Sequence, residues 1–175
     1  MAAGSGVIAP VSRGLEGFSG WSWQPPAIGT ARMIAATGGP LVLGEGGMFA
    51  EGTRRVVEAY LGEHGLDALA EDVVYTVMGS GRVARGRAEV AALLDHFYHQ
   101  AFQATARGRS LVVGETQAVF EGDFEGRHVG EFAGIPATMK SVSVPLCVVY
   151  DIAGDRISAA RIYFEMDALR EQLGR

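Results

Sequence analysis

The sequence lacks a second cysteine. Cys147 stands alone, so no internal disulfide can form, and its place in the apolar run Val144 to Tyr150 reads as a small core residue. No uninterrupted apolar stretch approaches the ~20 residues of a membrane span. The N-terminus shows no basic segment followed by a compact apolar one, as a secretory signal would. Lysine and arginine form no cluster, and 15 of them face 20 acidic residues for a net charge of −5. That balance argues against a nucleic-acid partner and against a polybasic membrane patch. A Gly-x-Ser-x-Gly elbow and a Cys-His pair are also missing. A cytoplasmic address follows by default.

Glycine and proline are scarce where pattern is strong and crowded where it is weak. Residues 1–47 hold 11 of the 25 glycines, 4 of the 6 prolines and both tryptophans, Trp21 and Trp23, with only four charged side chains. Neither helical nor alternating periodicity persists there. The composition predicts a loosely ordered extension ahead of one domain spanning 48–175. Docking of the two tryptophans on that domain is the alternative.

From Met48 onward the chain is patterned. Val56, Val57, Tyr60 and Leu61 have amphipathic-helix spacing. A short helix is expected over Leu66 to Glu71, then an apolar strand from Val73 to Met78 and a turn at Gly79-Ser80-Gly81. A longer helix is expected from about Arg87 to Ala104. Four strand-like segments follow, at 110–121, 124–133, 142–151 and 156–165, with turn signals at Gly122-Asp123 and Ala153-Gly154-Asp155. A last helix covers Met166 to Leu173. Helices followed by consecutive strands predict an α+β domain, a curved antiparallel sheet packed against three helices and enclosing a pocket.

Few polar groups suggest chemistry. The pleat puts His128, Gly130 and Phe132 on one face of their strand, and Arg161, Tyr163 and Glu165 on one face of theirs. Gly130 leaves room for a ligand or a crossing side chain. A carboxylate beside an imidazole is a plausible acid/base pair, since partial burial raises a carboxyl pKa towards neutrality. In the competing reading Glu165 caps the last helix and His128 bonds a backbone carbonyl. The glycine-rich, basic run from Gly79 to Arg87 precedes a helix but lacks the ending of a phosphate loop. His96 and His99, with Asp95, lack convergent metal ligands, so a solvated helix face is expected there.

The run His128-x-Gly-x-Phe-x-Gly-Ile-Pro-Ala-Thr-x-Lys140, the strand pair after it, Arg161-x-Tyr-Phe-Glu-Met and Arg170-Glu-Gln-Leu-Gly174 resemble the SnoaL-like polyketide cyclase (ester cyclase) family. That family belongs to the NTF2-like cone-shaped α+β barrels, and the resemblance covers roughly residues 49–174. It implies an intramolecular aldol ring closure without metal or organic cofactor, with Glu165 as acid/base and His128 lining the same pocket. Phe132, Tyr163, Arg161 and Gly130 would then contact the substrate. Two positions depart from the pattern: Glu165 stands where the family usually has Asp, and Met139 where Gly is common.

The resulting expectation is a cofactor-independent enzyme acting on a polyketide-like or other carbonyl-bearing hydrophobic small molecule. A non-catalytic NTF2-like binding or assembly module is the alternative, and an epoxide hydrolase, isomerase or oxygenase-assisting relative a further one. The near-continuous apolar strand Val142 to Tyr150 also predicts a homodimer through the outer sheet face.

Overall fold

The computed structural model describes residues 47–63 and 65–174, so the expectation for residues 1–47 lies outside the described residues except at Gly47, where α1 begins. Helix α1 (Gly47–Glu63) leads through a 3₁₀ turn, Leu66–Ala68, into β1 (Leu69–Val77) and β2 (Arg82–Arg85). Helix α2 (Gly86–Asp95) ends in a π-turn, His96–Gln100. Strands β3 (Phe102–Val113), β4 (Gln117–His128), β5 (Ser141–Ala153) and β6 (Arg156–Phe164) follow, then α3 (Met166–Leu173).

The six strands form one curved sheet in the order β2-β1-β6-β5-β4-β3. The α+β class is as expected, but the sheet is mixed rather than antiparallel. β1 runs parallel to β6, since the chain crosses from one to the other through β2, α2 and the strands β3, β4 and β5. No described helix is long and apolar enough to cross a membrane.

The element boundaries differ from expectation at β1, which begins at Leu69 inside the helix expected to Glu71, at β4, which ends at His128 rather than 133 and leaves Gly130 and Phe132 beyond the strand, and in three further places. The longer helix stops well before Ala104, because Phe102, Ala104 and Ala106 alternate and are buried as β3 against β4. An alanine-rich run satisfies both periods, and strand pairing decides. Gly122-Asp123 lies inside β4 rather than in a turn. A Cβ at Gly122 would sit 2.3 Å from the Arg107 carbonyl oxygen, so glycine there serves close strand approach. The hairpin turn falls instead at residues 114–116, where the Thr53 hydroxyl of α1 donates to the Glu115 carbonyl. The third difference is the β1–β2 hairpin, hidden in the basic run after Gly79.

Helices α1 and α2 cover the concave sheet face. Arg87, in the first turn of α2, is tied to β1 by two donations to the Leu69 carbonyl, at 2.9 and 2.6 Å. Helix α3 closes the end of the sheet by burying Leu169 and Leu173. The Gln172 side-chain amide accepts from the Ser143 N–H and donates to its carbonyl, both at 2.8 Å, where β5 has outrun β6.

An aromatic cluster holds the centre. The fully buried Phe102 ring meets Phe124 edge-on at 5.3 Å and Phe132 at 5.1 Å. Phe124 in turn meets Phe164 at 5.1 Å and Tyr98 at 5.3 Å. Phe102→Ala removes a ring from the middle of this cluster and is expected to cost about 3–5 kcal/mol. Urea unfolding of the variant checks this, and a loss under about 1 kcal/mol would show that the cluster collapses around the gap.

Candidate functional site

Strand pleating decides which side chains meet inside. On β6, Ile162 and Phe164 point to the concave face, together with Leu146, Val148 and Tyr150 of β5, Phe124 of β4, and Tyr75 and Val77 of β1. From above, α1 contributes Tyr60, α2 contributes Leu93 and Leu94, and the π-turn contributes Phe97 and Tyr98. They enclose about 530 Å³ of space, its open mouth included.

The lining is aliphatic and aromatic apart from four phenol hydroxyls, those of Tyr60, Tyr75, Tyr98 and Tyr150. Burial pushes the Tyr60 hydroxyl up to about 12, against a smaller opposing effect of the neighbouring Tyr75 hydroxyl. Burial also holds Tyr75, Tyr98 and Tyr150 far above the ordinary phenol range, and repulsion from nearby phenols adds to it. All four are therefore neutral hydrogen-bonding groups at physiological pH. The Tyr75 hydroxyl neighbours that of Tyr60, yet by hydrogen-bond geometry it has no partner among the described residues. The sequence signal for this set was weak, since buried tyrosines scattered over α1, β1, the π-turn and β5 share no local motif.

The residues singled out from sequence are distributed differently. Glu165 is exposed at the N-cap of α3, where its carbonyl accepts from the Leu169 N–H at 3.0 Å and its side chain makes no cap bond. Its carboxylate does not enter the cavity. Tyr163 lies on the convex face at 44% exposure. Arg161 shares that face, in a two-point pair with Asp151 whose second contact measures 3.0 Å. That bond, assisted by Gln117, holds the Asp151 carboxyl below the usual carboxylate range. Arg161 and Tyr163 thus share the outer face, and Glu165 lies past the end of β6. The physical reason is that Ile162 and Phe164, one register step away, satisfy the apolar interior.

His128, Gly130 and Phe132 are brought together, but behind the cavity wall. A Cβ at Gly130 would lie 2.2 Å from the Gln100 carbonyl oxygen, so the room it leaves is filled by backbone and not by a ligand. Phe132 is buried, with its ring 5.5 Å from Phe97 and 6.5 Å from a stacked His96. His128 is fully buried and packs at 4.9 Å on Phe102. Its Nδ1 accepts from the Thr138 N–H at 3.2 Å and lies 3.0 Å from the Thr138 hydroxyl. A ring nitrogen that accepts from a backbone N–H carries no proton, so the hydrogen resides on Nε2. That Nε2 is buried without a partner among the described residues. His128 therefore fastens residues 136–140 across the end of the sheet.

Burial lowers the pKa of the His128 imidazole. With the folded value below the unfolded one, near 6.5, the unfolded chain binds the extra proton. Stability from this group is full above about pH 6.5 and falls as pH drops below it, by at most about 1.4 kcal/mol per pH unit. Urea midpoints measured between pH 7.5 and 5 should decline in the wild type and decline less in His128→Asn. An equal slope in both chains would remove His128 as the cause.

A sequence profile described as SnoaL-like polyketide cyclase matches residues 53–173. No curated protein matches. Among solved structures, a Jannaschia sp. CCS1 protein assigned by inference to the SnoaL-like polyketide cyclases superimposes with a TM-score of 0.65 at 14% identity, over 72% of this chain and 94% of its own. A polyketide cyclase assigned in the same way from Xanthomonas campestris gives 0.62 at 20% identity, covering 72% and 99%. TsrD from Streptomyces laurentii gives 0.60 at 23% identity, covering 71% and 96%. At these identities the structures establish a shared fold, and the profile match over residues 53–173 places the chain in the SnoaL-like polyketide cyclase family.

Proposed function

We propose that this chain binds an apolar, carbonyl-bearing small molecule in the cavity between its sheet and helices. The observation that carries this reading is the lining itself: an apolar enclosure whose polar side-chain groups are neutral phenols. Such a surface desolvates a hydrophobic ligand and offers hydrogen bonds to its oxygens.

Aldol ring closure needs a group that removes a proton next to a carbonyl and later returns it. Among the described residues, no carboxylate and no imidazole lines the cavity. The cross-strand pairs that face it from β5 and β6 include Val148 opposite Ile162 and Leu146 opposite Phe164. Glu165 and His128 lie outside and behind it, which favours binding over the acid/base reading. Glu165→Gln should accordingly leave ligand affinity within about twofold.

Small molecules extracted from the natively purified chain and identified by mass spectrometry test the proposal. An aromatic or polycyclic ketone, quinone or lactone is expected. Val148→Trp, which fills the cavity at an overpacking cost of about 1–3 kcal/mol, should abolish the co-purification. Recovery of the same molecule in equal amount from the folded variant would count against the cavity.

We propose further that the convex face meets a second copy of the chain. One row across it reads Val83, Thr76, Arg161, Val149, Val119 and Val112, with Val83 and Val112 exposed at 40% and 64%. Met78 and Tyr163 extend the apolar surface. Sedimentation equilibrium at micromolar concentration should give twice the 18.5 kDa chain mass, and Val112→Lys should shift the balance to monomer. A wild-type species at the single-chain mass refutes the interface.

A further inference from the structure

We propose that the Tyr75 hydroxyl is the polar anchor of the cavity and selects an uncharged ligand by donating a hydrogen bond to its carbonyl oxygen. This rests on the ligand-binding reading above and adds the group that sets its specificity. Tyr75 projects from β1 into the cavity and is 2% exposed. By donor–acceptor geometry its hydroxyl has no partner among the described residues, although the Tyr60 hydroxyl lies near enough to influence it as a hydrogen-bonding neighbour. Buried hydroxyls are almost always partnered, and one left open at the edge of an empty space marks where a ligand atom completes the bond.

Charge narrows the ligand class. A bound carboxylate or ammonium would surrender its hydration and find no counter-charge, because among the described residues no ionised side chain lines the cavity. The phenol itself resists ionisation, since burial and the neighbouring phenols hold it protonated. Tyr75 thus remains a donor throughout the physiological range. A neutral acceptor on a rigid apolar frame fits best: an aryl ketone, a quinone or a lactone. Val77 follows Tyr75 at the next inward position of β1, and Val148 lies on the same concave face, so these two neighbours offer the ligand frame hydrocarbon, with the Tyr60 hydroxyl as the polar group beside Tyr75.

Three probes of one shape separate the terms: 9-fluorenone with a carbonyl, fluorene without one, and fluorene-9-carboxylate with a charge. In equilibrium dialysis against the full chain, 9-fluorenone should bind about tenfold more tightly than fluorene, the factor of roughly one hydrogen bond in a dry site. The carboxylate should bind more weakly than fluorene. Tyr75→Phe should bring 9-fluorenone down to the level of fluorene, leave fluorene itself unchanged, and unfold at the same or a higher temperature. A wild type that binds 9-fluorenone and fluorene equally overturns the anchor and leaves cavity binding standing, as does a preference that persists in Tyr75→Phe. If neither neutral probe binds, the cavity reading falls and this inference with it. Should Tyr75→Phe lose its cooperative transition, the wild-type ranking of the three probes still decides.

Discussion

Val148 of β5 and Ile162 of β6 sit directly opposite each other with both side chains on the concave face, and the rest of the cavity depends on that register. Because side chains alternate along a strand, fixing Ile162 inward fixes Phe164 inward and sends Arg161 and Tyr163 out. The Arg161–Asp151 pair secures the same register from the other side. Slipping β6 by one residue would bury a guanidinium in hydrocarbon and put two apolar side chains into water. Burying an unpaired charge costs several kcal/mol in real proteins, more than the two exposed side chains would lose, so the pleat has one answer. An apolar wall then follows on that side of the pocket.

Against that wall stand four buried phenols, and they pull in opposite directions energetically. Each ring contributes apolar contact, as Tyr60 and Tyr150 do edge-to-face at 5.9 Å. Each hydroxyl needs a partner, and one left open costs about 1–3 kcal/mol. A cavity selected for stability alone would carry phenylalanine at Tyr75. Keeping a hydroxyl there is a local sacrifice of stability of the kind that marks functional sites.

Much of the fold was legible in the sequence, because the strongest patterns were unambiguous. Val56, Val57, Tyr60 and Leu61 set α1, and Ala153-Gly154-Asp155 placed the β5–β6 turn within one residue of where it falls. Illegible parts had patterns that fit two structures. Ala101 to Ala106 satisfies a helix as well as a strand, and Gly122-Asp123 has turn chemistry but serves tight strand packing. At the site, alternation separates Arg161 and Tyr163 from Ile162 and Phe164 on β6, but Glu165 falls past the end of the strand at the cap of α3. Which set faces inward is a tertiary question that alternation alone does not answer, and the titratable set was assigned to the wrong side.

The run His128 to Lys140 supports the cavity wall from behind and does not line it. His128 and Thr138 tie down a segment in which Ala133 and Met139 hold left-handed backbone, at φ 51° and 59°. Glycine tolerates that conformation at least cost, so Met139 holds backbone strain that a glycine there would avoid. Strain of this kind persists only where surrounding contacts over-determine it. Here those contacts are Phe132 and Ile135, both buried, and Gly130 closed against Gln100. The segment thereby presses Phe132 onto Phe97, whose other side is cavity. The run His128 to Lys140 thus supports the shape of the pocket, while the phenols Tyr60, Tyr75, Tyr98 and Tyr150 of its lining all lie outside that run. Family membership identifies the scaffold, and the lining residues must be read separately to identify the ligand.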